Sequence, residues 1–163
     1  MVEPAGKPEI AADRPETDQP PVDLSPVLVV ERFMECLRRG DLDEAMALLA
    51  EDVRYENVGL PTVHGRERVR RLFGRAYDDG GGFDVVIQTI CADGASVLTE
   101  RTDFLTFRKL RIQLWVCGRF DVRDGQIVLW RDYFDFVNFS KGLVRGLLGV
   151  HLPGLRATLP SRA

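Results

Sequence analysis

The chain has 163 residues, a formal net charge of −3 and 45% apolar residues, which is enough to fill one hydrophobic core. No apolar run approaches the ~20 residues of a membrane span. The chain also lacks a basic start followed by an apolar stretch, so we expect a cytoplasmic protein. Three separated cysteines and two distant histidines favour neither a disulfide framework nor a zinc site. We therefore expect no metal site and acid–base chemistry by carboxylates.

The first 24 residues differ in composition from the rest of the chain. They contain five prolines, six acidic and two basic side chains and no aromatic residue, which gives this segment a charge of −4 and leaves +1 for residues 25–163. Such a segment cannot bury enough apolar surface to offset the entropy lost on ordering. The sequence thus predicts a disordered, acidic, Pro-rich leader over 1–24 and a single domain over 25–163.

Helical signals dominate the first part of the domain. Ser25-Pro26 is a typical helix start and Gly40 a typical stop, and Asp41 with Glu44 has the spacing of a capping box that opens a second, short helix. A short alternating segment over 53–57 then predicts a strand. Next comes a predicted helix over about 65–78, whose inward residues we expect to be Val69, Leu72, Phe73 and Ala76.

The second part of the domain alternates in the manner of strands. Segments at about 83–92, 96–107, 111–122 and 126–137 are predicted strands, with Asp93-Gly94 and Asp124-Gly125 at tight turns. An apolar helical segment follows from about Phe139 to Val150, and we expect it to serve core packing or a dimer contact rather than a membrane. The order of elements predicts an α+β domain whose curved sheet wraps against the helices and encloses a deep apolar pocket.

Strand alternation brings polar side chains onto apolar faces of these strands. Asp132 is a lone carboxylate in a row of large apolar residues, and Arg101 and Asp103 share a face of the predicted strand 96–107. Tyr55 and Asn57 share a face of the first strand. The row that contains Asp132 consists of Val128, Trp130, Asp132, Phe134 and Phe136. Five polar side chains can therefore line one apolar cavity.

Two interpretations of this cluster follow from the residues. Arg101 can form a structural ion pair with one or both aspartates, while Tyr55 and Asn57 satisfy backbone groups. Alternatively, one guanidinium between two carboxylates leaves excess negative charge in an apolar pocket, which raises the affinity of the pair for a single proton. A proton on one aspartate provides an acid and a base side by side.

Three dispersed motifs contain these residues and resemble those of a known family. The stretches Tyr55-Glu56-Asn57, Leu98-Thr99-Glu100-Arg101-Thr102-Asp103 and Trp130-Arg131-Asp132-Tyr133-Phe134-Asp135 are similar to the motifs of limonene-1,2-epoxide hydrolases. The resemblance runs in order from about Val27 to Asn138, and beyond Asn138 the chain resembles mycobacterial-type members. It implies a cone-like fold with a mixed, mostly antiparallel sheet, similar to nuclear transport factor 2 and ketosteroid isomerase.

The resemblance also implies a role for each polar residue. Asp132 would be the general base that deprotonates water, and Tyr55 and Asn57 would hold that water. Asp103 would be the general acid that protonates the epoxide oxygen, and Arg101 would orient both aspartates. The implied reaction adds water to a hydrophobic epoxide to form a vicinal diol, in one step and without a cofactor. A covalent ester mechanism is disfavoured because no Gly-x-Ser-x-Gly-like elbow is visible in the sequence.

We expect apolar side chains on three strands to form the substrate pocket. Expected partners are a small hydrophobic epoxide and water, and the resemblance implies a homodimer. The arginine-rich helix at 65–78 belongs to a domain that is nearly neutral in charge, so we expect a solvated helix face and no nucleic-acid partner. An isomerase or cyclase on the same scaffold, and a non-catalytic domain that binds an apolar ligand, are the alternative functions. The expected pocket residues are Trp130, Phe134, Leu105, Leu114 and Val116.

Overall fold

The structure, a computed structural model, describes residues 25–155, 157 and 158. The predicted leader over 1–24 lies outside these residues. The described chain forms four α-helices, six strands and one 3₁₀ turn. The helices are α1 (Pro26–Arg39), α2 (Leu42–Ala47), α3 (Arg66–Asp78) and α4 (Phe136–His151), and the 3₁₀ turn is Pro153–Leu155. The strands are β1 (Leu49–Asn57), β2 (Val63–His64), β3 (Gly81–Asp93), β4 (Ser96–Phe107), β5 (Leu110–Arg123) and β6 (Gln126–Phe134).

Within the described residues the strands form one sheet in the order β2-β1-β6-β5-β4-β3. Strand β1 is parallel to β6, and the other neighbours are antiparallel. Register shifts in the β1–β6, β3–β4 and β5–β6 pairs bend the strands, because an extra residue on one side twists a ladder locally. The predicted α+β class and the mixed, mostly antiparallel, curved sheet are therefore confirmed.

Helix α1 packs on one face of the sheet. Pro26 occupies its first turn, and Gly40 ends it with a left-handed φ of 74° that lets its N–H reach the carbonyls of Cys36 and Leu37. One face of the helix is fully buried, and it shares a core with β1, β5 and β6. The buried residues of α1 are Val29, Val30, Phe33, Met34, Cys36 and Leu37.

Helix α3 buries a narrower face than the sequence pattern predicts. Val69 is buried and Phe73 half-buried, whereas Leu72 and Ala76 are exposed, so the prediction that these two point inward is wrong. The helix meets β1 and β3 through residues spaced four apart, Val69, Phe73 and Tyr77. Leu72 and Ala76 lie beside this strip and remain outside the core.

The last strand ends three residues earlier than predicted, at Phe134, and α4 begins at Phe136 rather than near Phe139. The cause is Asp135, whose side-chain Oδ1 accepts a 2.7 Å hydrogen bond from the Val137 N–H and so caps the helix. Phe136 consequently belongs to the first turn of α4, and its predicted place on the inner face of the strand is wrong. No helix of the described residues is long and apolar enough to cross a membrane.

Helix α4 packs closely along the first half of β5. The β5–β6 ladder ends at the Val116–Phe134 pair, so α4 takes the place that a longer β6 would occupy. A Cβ at Gly142 would lie 2.8 Å from the Gln113 carbonyl oxygen, and one at Gly146 would lie 2.5 Å from that of Arg111. The two glycines therefore allow the helix backbone to cover a strand edge that would otherwise be open to pairing.

Candidate active site

Arg101 lies between the two aspartates predicted to flank it. Its Nε donates to Asp103 Oδ1 at 2.9 Å and its Nη2 to Asp132 Oδ1 at 2.7 Å. The remaining nitrogen, Nη1, donates to Thr99 Oγ1 at 3.1 Å. The arginine is completely buried, and both carboxylates are almost completely buried. Each guanidinium nitrogen thus has a partner, as a buried cation requires.

Gly118 on β5 allows this arrangement. Arg101 lies on β4 and Asp132 on β6, so the guanidinium must cross the intervening strand β5. Gly118 pairs with Thr99 on one side and with Asp132 on the other, and a Cβ there would lie 2.0 Å from Arg101 Nη1. The glycine is thus a positioning residue that the sequence analysis missed, although a single glycine within a strand often marks a close approach.

Trp130 orients the carboxylate of Asp132. Its indole Nε1 donates to Asp132 Oδ1 at 2.9 Å, so Oδ1 accepts from both Trp130 and Arg101. The indole is held among aromatic rings, with centroid distances of 4.2 Å to Tyr55, 5.0 Å to Phe33 and 5.4 Å to Phe73. The sequence pattern placed Trp130 in the pocket wall but contained no signal for this hydrogen bond.

Strand β1 brings Tyr55 and Asn57 to the aspartate through its parallel pairing with β6. Tyr55 is the register partner of Trp130, and Asn57 is the partner of Asp132. Burial, followed by the negative charge of Asp132, raises the pKa of Tyr55, while a hydrogen bond from Asn57 acts in the opposite direction. Tyr55 therefore stays a neutral phenol beside the carboxylate and can donate or accept a hydrogen bond.

Electrostatics favour one shared proton on the carboxylate pair. Burial raises the pKa of Asp103 to about 6. The positive charge of Arg101 lowers this pKa, but burial outweighs it, and the negative charge of Asp132 raises the pKa further. Burial also raises the pKa of Asp132, against the hydrogen bonds and charge of Arg101 and the N–H of Trp130. The pKa of Arg101 is raised because the two carboxylates outweigh its desolvation. Arg101 therefore keeps its charge, and a proton taken up by this cluster binds to the aspartate pair.

These side chains border a cavity of about 220 Å³ whose other walls are apolar. Four of the five polar residues, Tyr55, Asn57, Asp103 and Asp132, line it, and Arg101 lies behind the carboxylates. The five residues expected to form the pocket, Trp130, Phe134, Leu105, Leu114 and Val116, line it as well. The structure adds Leu60, Phe73, Phe83 and Phe139, which sequence alternation did not indicate.

Leu60 and Phe139 come from outside the strands of the sheet. Leu60 lies in the loop after β1, and Phe139 lies in the second turn of α4. Phe136 in the first turn of α4 packs over the same loop, because a Cβ added at Gly59 would lie 2.9 Å from the Phe136 ring. The start of α4 and the β1–β2 loop thus meet at the cavity and form its rim. Among residues 25–155, 157 and 158, no group of three or more His, Cys, Asp or Glu side chains could hold a metal ion.

The fold and the site together define a class of protein. A curved sheet wrapped around helices encloses an apolar cavity, and a buried pair of carboxylates that share one guanidinium lies at its wall. Similar architecture occurs in an NTF2-like protein of unknown function from Burkholderia pseudomallei, with a TM-score of 0.61 and 20% identity over 72% of this chain and 96% of that one. This likeness establishes the NTF2-like fold.

Closer relatives define the family. The model of the limonene-1,2-epoxide hydrolase catalytic domain matches residues 24–145. Epoxide hydrolase EphG of Mycobacterium tuberculosis is 50% identical over 134 residues, which cover 80% of this chain and 87% of the relative. A solved structure of an M. tuberculosis epoxide hydrolase similar to limonene-1,2-epoxide hydrolase has a TM-score of 0.78 and 48% identity over 82% of this chain and 95% of that one.

The chain therefore belongs to the limonene-1,2-epoxide hydrolase family and is an enzyme of the epoxide hydrolase class. This confirms the family expected from the three sequence motifs, and an epoxide and water are its substrates. The residue roles implied by that resemblance, the homodimer, the domain boundaries and the cytoplasmic location stay predictions.

Proposed function

We propose that the protein adds water to a hydrophobic epoxide in one displacement, without a covalent intermediate, and releases a vicinal diol. One observation carries the proposal: Asp103 and Asp132 line the same apolar cavity and share the guanidinium of the buried Arg101. Epoxide strain already favours opening, so the enzyme must align a nucleophilic water with a proton donor. Two carboxylates with one shared proton supply the base and the acid for this.

Asp132 acts as the general base in this proposal. Arg101 and Trp130 both bind its Oδ1, which orients the carboxylate and keeps negative charge on it. Asn57 is its register partner on β1 and, with Tyr55, holds the water. As Asp132 removes one proton from this water, the water oxygen forms a bond to an epoxide carbon.

Asp103 acts as the general acid. The bond between that epoxide carbon and the ring oxygen breaks as the water attacks, and the oxygen takes the proton of Asp103. Asp132 then carries a proton and Asp103 is ionised, so transfer of one proton from Asp132 to Asp103 after product release restores the starting state. The raised pKa values of both carboxyls support a pair that can hold one proton. With a pKa of about 6 for Asp103, the form with a protonated acid predominates below about pH 6.

The lining of the cavity supports a hydrophobic substrate. Apart from the catalytic groups, the side chains around the 220 Å³ space are aliphatic or aromatic. A charged substrate group would have to give up its hydration there without a partner. The volume is below the ~300 Å³ of typical ligand sites, so a long substrate must extend past the rim formed by Leu60 and Phe139.

Isotope labelling distinguishes this mechanism from a covalent one. The enzyme in excess over a styrene-oxide-type substrate is allowed one turnover in heavy-oxygen water, and mass spectrometry follows the label. Direct attack by water places the label in the diol. Label in the carboxyl of Asp132 or Asp103, with unlabelled diol, would contradict the proposal.

The Asp132→Asn variant provides the matched control. The amide keeps the shape of the side chain but cannot take up the proton of water, and it keeps Arg101 partnered through its carbonyl oxygen and Asp103. Loss of a general base costs roughly 100-fold to 10,000-fold in rate, so we expect at least about a 100-fold lower kcat with folding retained. Diol formation at the wild-type rate by a folded variant would remove Asp132 from the role of base.

A further inference from the structure

The outward surface of α4 is apolar, the reverse of an ordinary surface helix. Val137, Val144, Leu147, Leu148 and Leu152 at and just beyond the helix are each 49% to 59% exposed. A helix on a protein surface normally turns its apolar stripe to the core and its polar residues to water. These five side chains therefore contribute a continuous apolar surface that the fold itself does not cover.

The packing of α4 explains why its leucines remain outside. The helix meets β5 through small residues, and Gly142 and Gly146 lie against the carbonyl oxygens of Gln113 and Arg111. Gly146 and Gly149 are the buried residues of the helix. Because glycines occupy the inner face, the larger apolar side chains fall on the opposite side. Of the two roles expected for this segment, core packing is not fulfilled by these exposed leucines, and the dimer contact stays a prediction.

All the charge on this segment is positive. Lys141 and Arg145 line a groove of about 480 Å³ together with Val137, Val144 and Leu148. From Phe136 to the end of the chain the sequence contains no Asp or Glu. The turn before β5 adds the exposed side chains Arg108 and Lys109, and the start of β5 adds the exposed Arg111. Asp78 and Asp79 at the end of α3 border that turn from its other side.

From this combination we infer that α4 docks the protein on an anionic lipid surface. The helix lies in the plane of the membrane interface, with Val144, Leu147 and Leu148 inserted at the boundary of headgroups and acyl chains. Lys141 and Arg145 present their charges to lipid phosphates, and the Arg145 Nε also donates to the Leu155 carbonyl at 3.1 Å. Apolar burial and attraction to anionic lipid add together, as in other interfacial helices.

The charges favour a lipid surface over a second copy of the chain. A two-fold dimer through this face would pair the patch with itself. It would bring the Lys141 and Arg145 side chains of both copies together without a carboxylate on α4 to balance them. Such like-charge contacts cost several kcal/mol, whereas an anionic lipid surface neutralises the same side chains.

Docking through α4 also keeps the rim of the cavity near the membrane. Phe139 lines the cavity from the sheet-facing side of the same helix, one helix diameter of ~10 Å from the docked face. A hydrophobic epoxide that leaves the bilayer would then have a short path to the cavity. This consequence, unlike the docking itself, rests on the proposed function.

Vesicle sedimentation tests the docking. The full chain is mixed with phosphatidylcholine vesicles that contain about 30 mol % phosphatidylglycerol, and with pure phosphatidylcholine vesicles as the neutral reference. We expect preferential binding to the anionic vesicles that weakens as salt is raised. Replacement of two exposed apolar residues by carboxylates, in Val144→Glu/Leu148→Glu, should lower the partition coefficient at least about 100-fold. The control for an added carboxylate is Leu72→Glu at an equally exposed leucine of α3, which should bind normally.

A second variant isolates the charge contribution. Each basic side chain near an anionic surface contributes about fivefold to binding, so Lys141→Gln/Arg145→Gln should bind about 25-fold more weakly. The control Arg68→Gln/Arg71→Gln removes the same charge from an exposed part of α3 and should lower binding less than threefold. Circular dichroism and thermal melting establish that each variant is folded.

Three outcomes would overturn the docking inference. The first is that the wild type does not sediment with anionic vesicles, and the second is that the α4 and α3 variants lose vesicle binding equally. The third is that Val144→Glu/Leu148→Glu falls in molar mass from dimer to monomer while the wild type binds no vesicles. The last outcome would make the face an interface between copies. Hydrolysis of a water-soluble epoxide is measured in parallel. If the protein binds vesicles but does not hydrolyse the epoxide, the result would count against the proposed function and not against the docking.

Discussion

The guanidinium of Arg101 occupies the space that a side chain at Gly118 would need. A Cβ at residue 118 would lie 2.0 Å from Arg101 Nη1 and 2.7 Å from Thr99 Oγ1. Arg101 reaches from β4 across β5 to Asp132 on β6 through this gap. The pairing of the two aspartates thus depends on a residue that carries no functional group.

Substitution of this glycine should therefore disconnect the site. In Gly118→Ala the methyl group displaces the guanidinium, so Asp132 loses its 2.7 Å hydrogen bond and a buried charge loses a partner, which costs about 3–5 kcal/mol. We expect at least about a 100-fold loss of kcat/KM and a lower Tm. Steady-state kinetics and thermal melting measure both.

Gly74 provides the matched control for that change. It lies within α3, and a Cβ there would have no atom within 4 Å. Gly74→Ala should keep full activity and stabilise the helix by about 0.5–1 kcal/mol. Near-wild-type activity in Gly118→Ala would show that Arg101 does not need this path to Asp132.

The hydrogen bond from Trp130 to Asp132 should set the acid limb of the pH profile. The indole N–H lowers the pKa of Asp132 because it binds the ionised carboxylate. Trp130→Phe removes the donor and keeps an aromatic ring against Tyr55. The pKa of Asp132 should rise, so activity at low pH should be lost at a higher pH than in the wild type.

The pH dependence of kcat/KM measures this shift, since it reports groups of the free enzyme. Phe73→Leu is a suitable control, because it removes another ring of the stack around Trp130 without removing a donor to Asp132. An equal shift of the acid limb in both variants would assign the effect to packing rather than to the hydrogen bond.

Strand alternation was sufficient to predict the candidate site within each strand. It placed Arg101 with Asp103, and Tyr55 with Asn57, because neighbours two apart share a face whatever the tertiary structure. Strand alternation could not predict which residues pair between neighbouring strands. The parallel register that sets Asn57 beside Asp132 depends on strands distant in sequence, and the need for Gly118 appears only once three strands lie side by side.

Errors in the predicted fold arise where one local interaction outweighs a pattern. Phe136 continued the alternation of the last strand, yet the Asp135 cap starts a helix there. Val128 was expected on the inner face with Trp130. It is only half-buried while Ile127 and Leu129 are buried, because the register shift in the β5–β6 ladder interrupts alternation.

The raised pKa of Asp103 should make folding stability depend on pH. Burial moves this pKa from 3.8 to about 6, so the native state binds the proton more tightly than the unfolded chain. The contribution of this carboxyl to stability is fully present below about pH 3.8 and is lost as the pH rises through about 6. Because one pKa unit corresponds to about 1.4 kcal/mol, the loss is on the order of 3 kcal/mol.

Asp103→Asn removes this titration. Between about pH 4 and pH 7 the wild type should therefore lose about 2–3 kcal/mol of unfolding free energy that the variant does not lose. Urea denaturation of both proteins at several pH values measures the difference, with the exposed Asp52→Asn as control. A difference that stays constant over this range would mean that Asp103 titrates as an ordinary surface carboxyl.

The rim residue Phe139 should limit the size of the substrate. It reaches the cavity from α4, next to Phe134 at a ring-centroid distance of 6.0 Å, whereas the catalytic groups lie on the strands. Phe139→Ala should enlarge the 220 Å³ cavity toward its opening without moving Asp103 or Asp132. We expect kcat/KM to rise about 10-fold for bulky epoxides relative to small ones, with Leu72→Ala on α3 as a control that should leave the ratio unchanged. A competition assay with one small and one bulky epoxide gives this ratio directly. If Phe139→Ala and the wild type discriminate equally between the two epoxides, Phe139 does not set the size limit. The limit would then lie with the wall residues on β4, β5 and β6, because the substitution leaves those side chains in place.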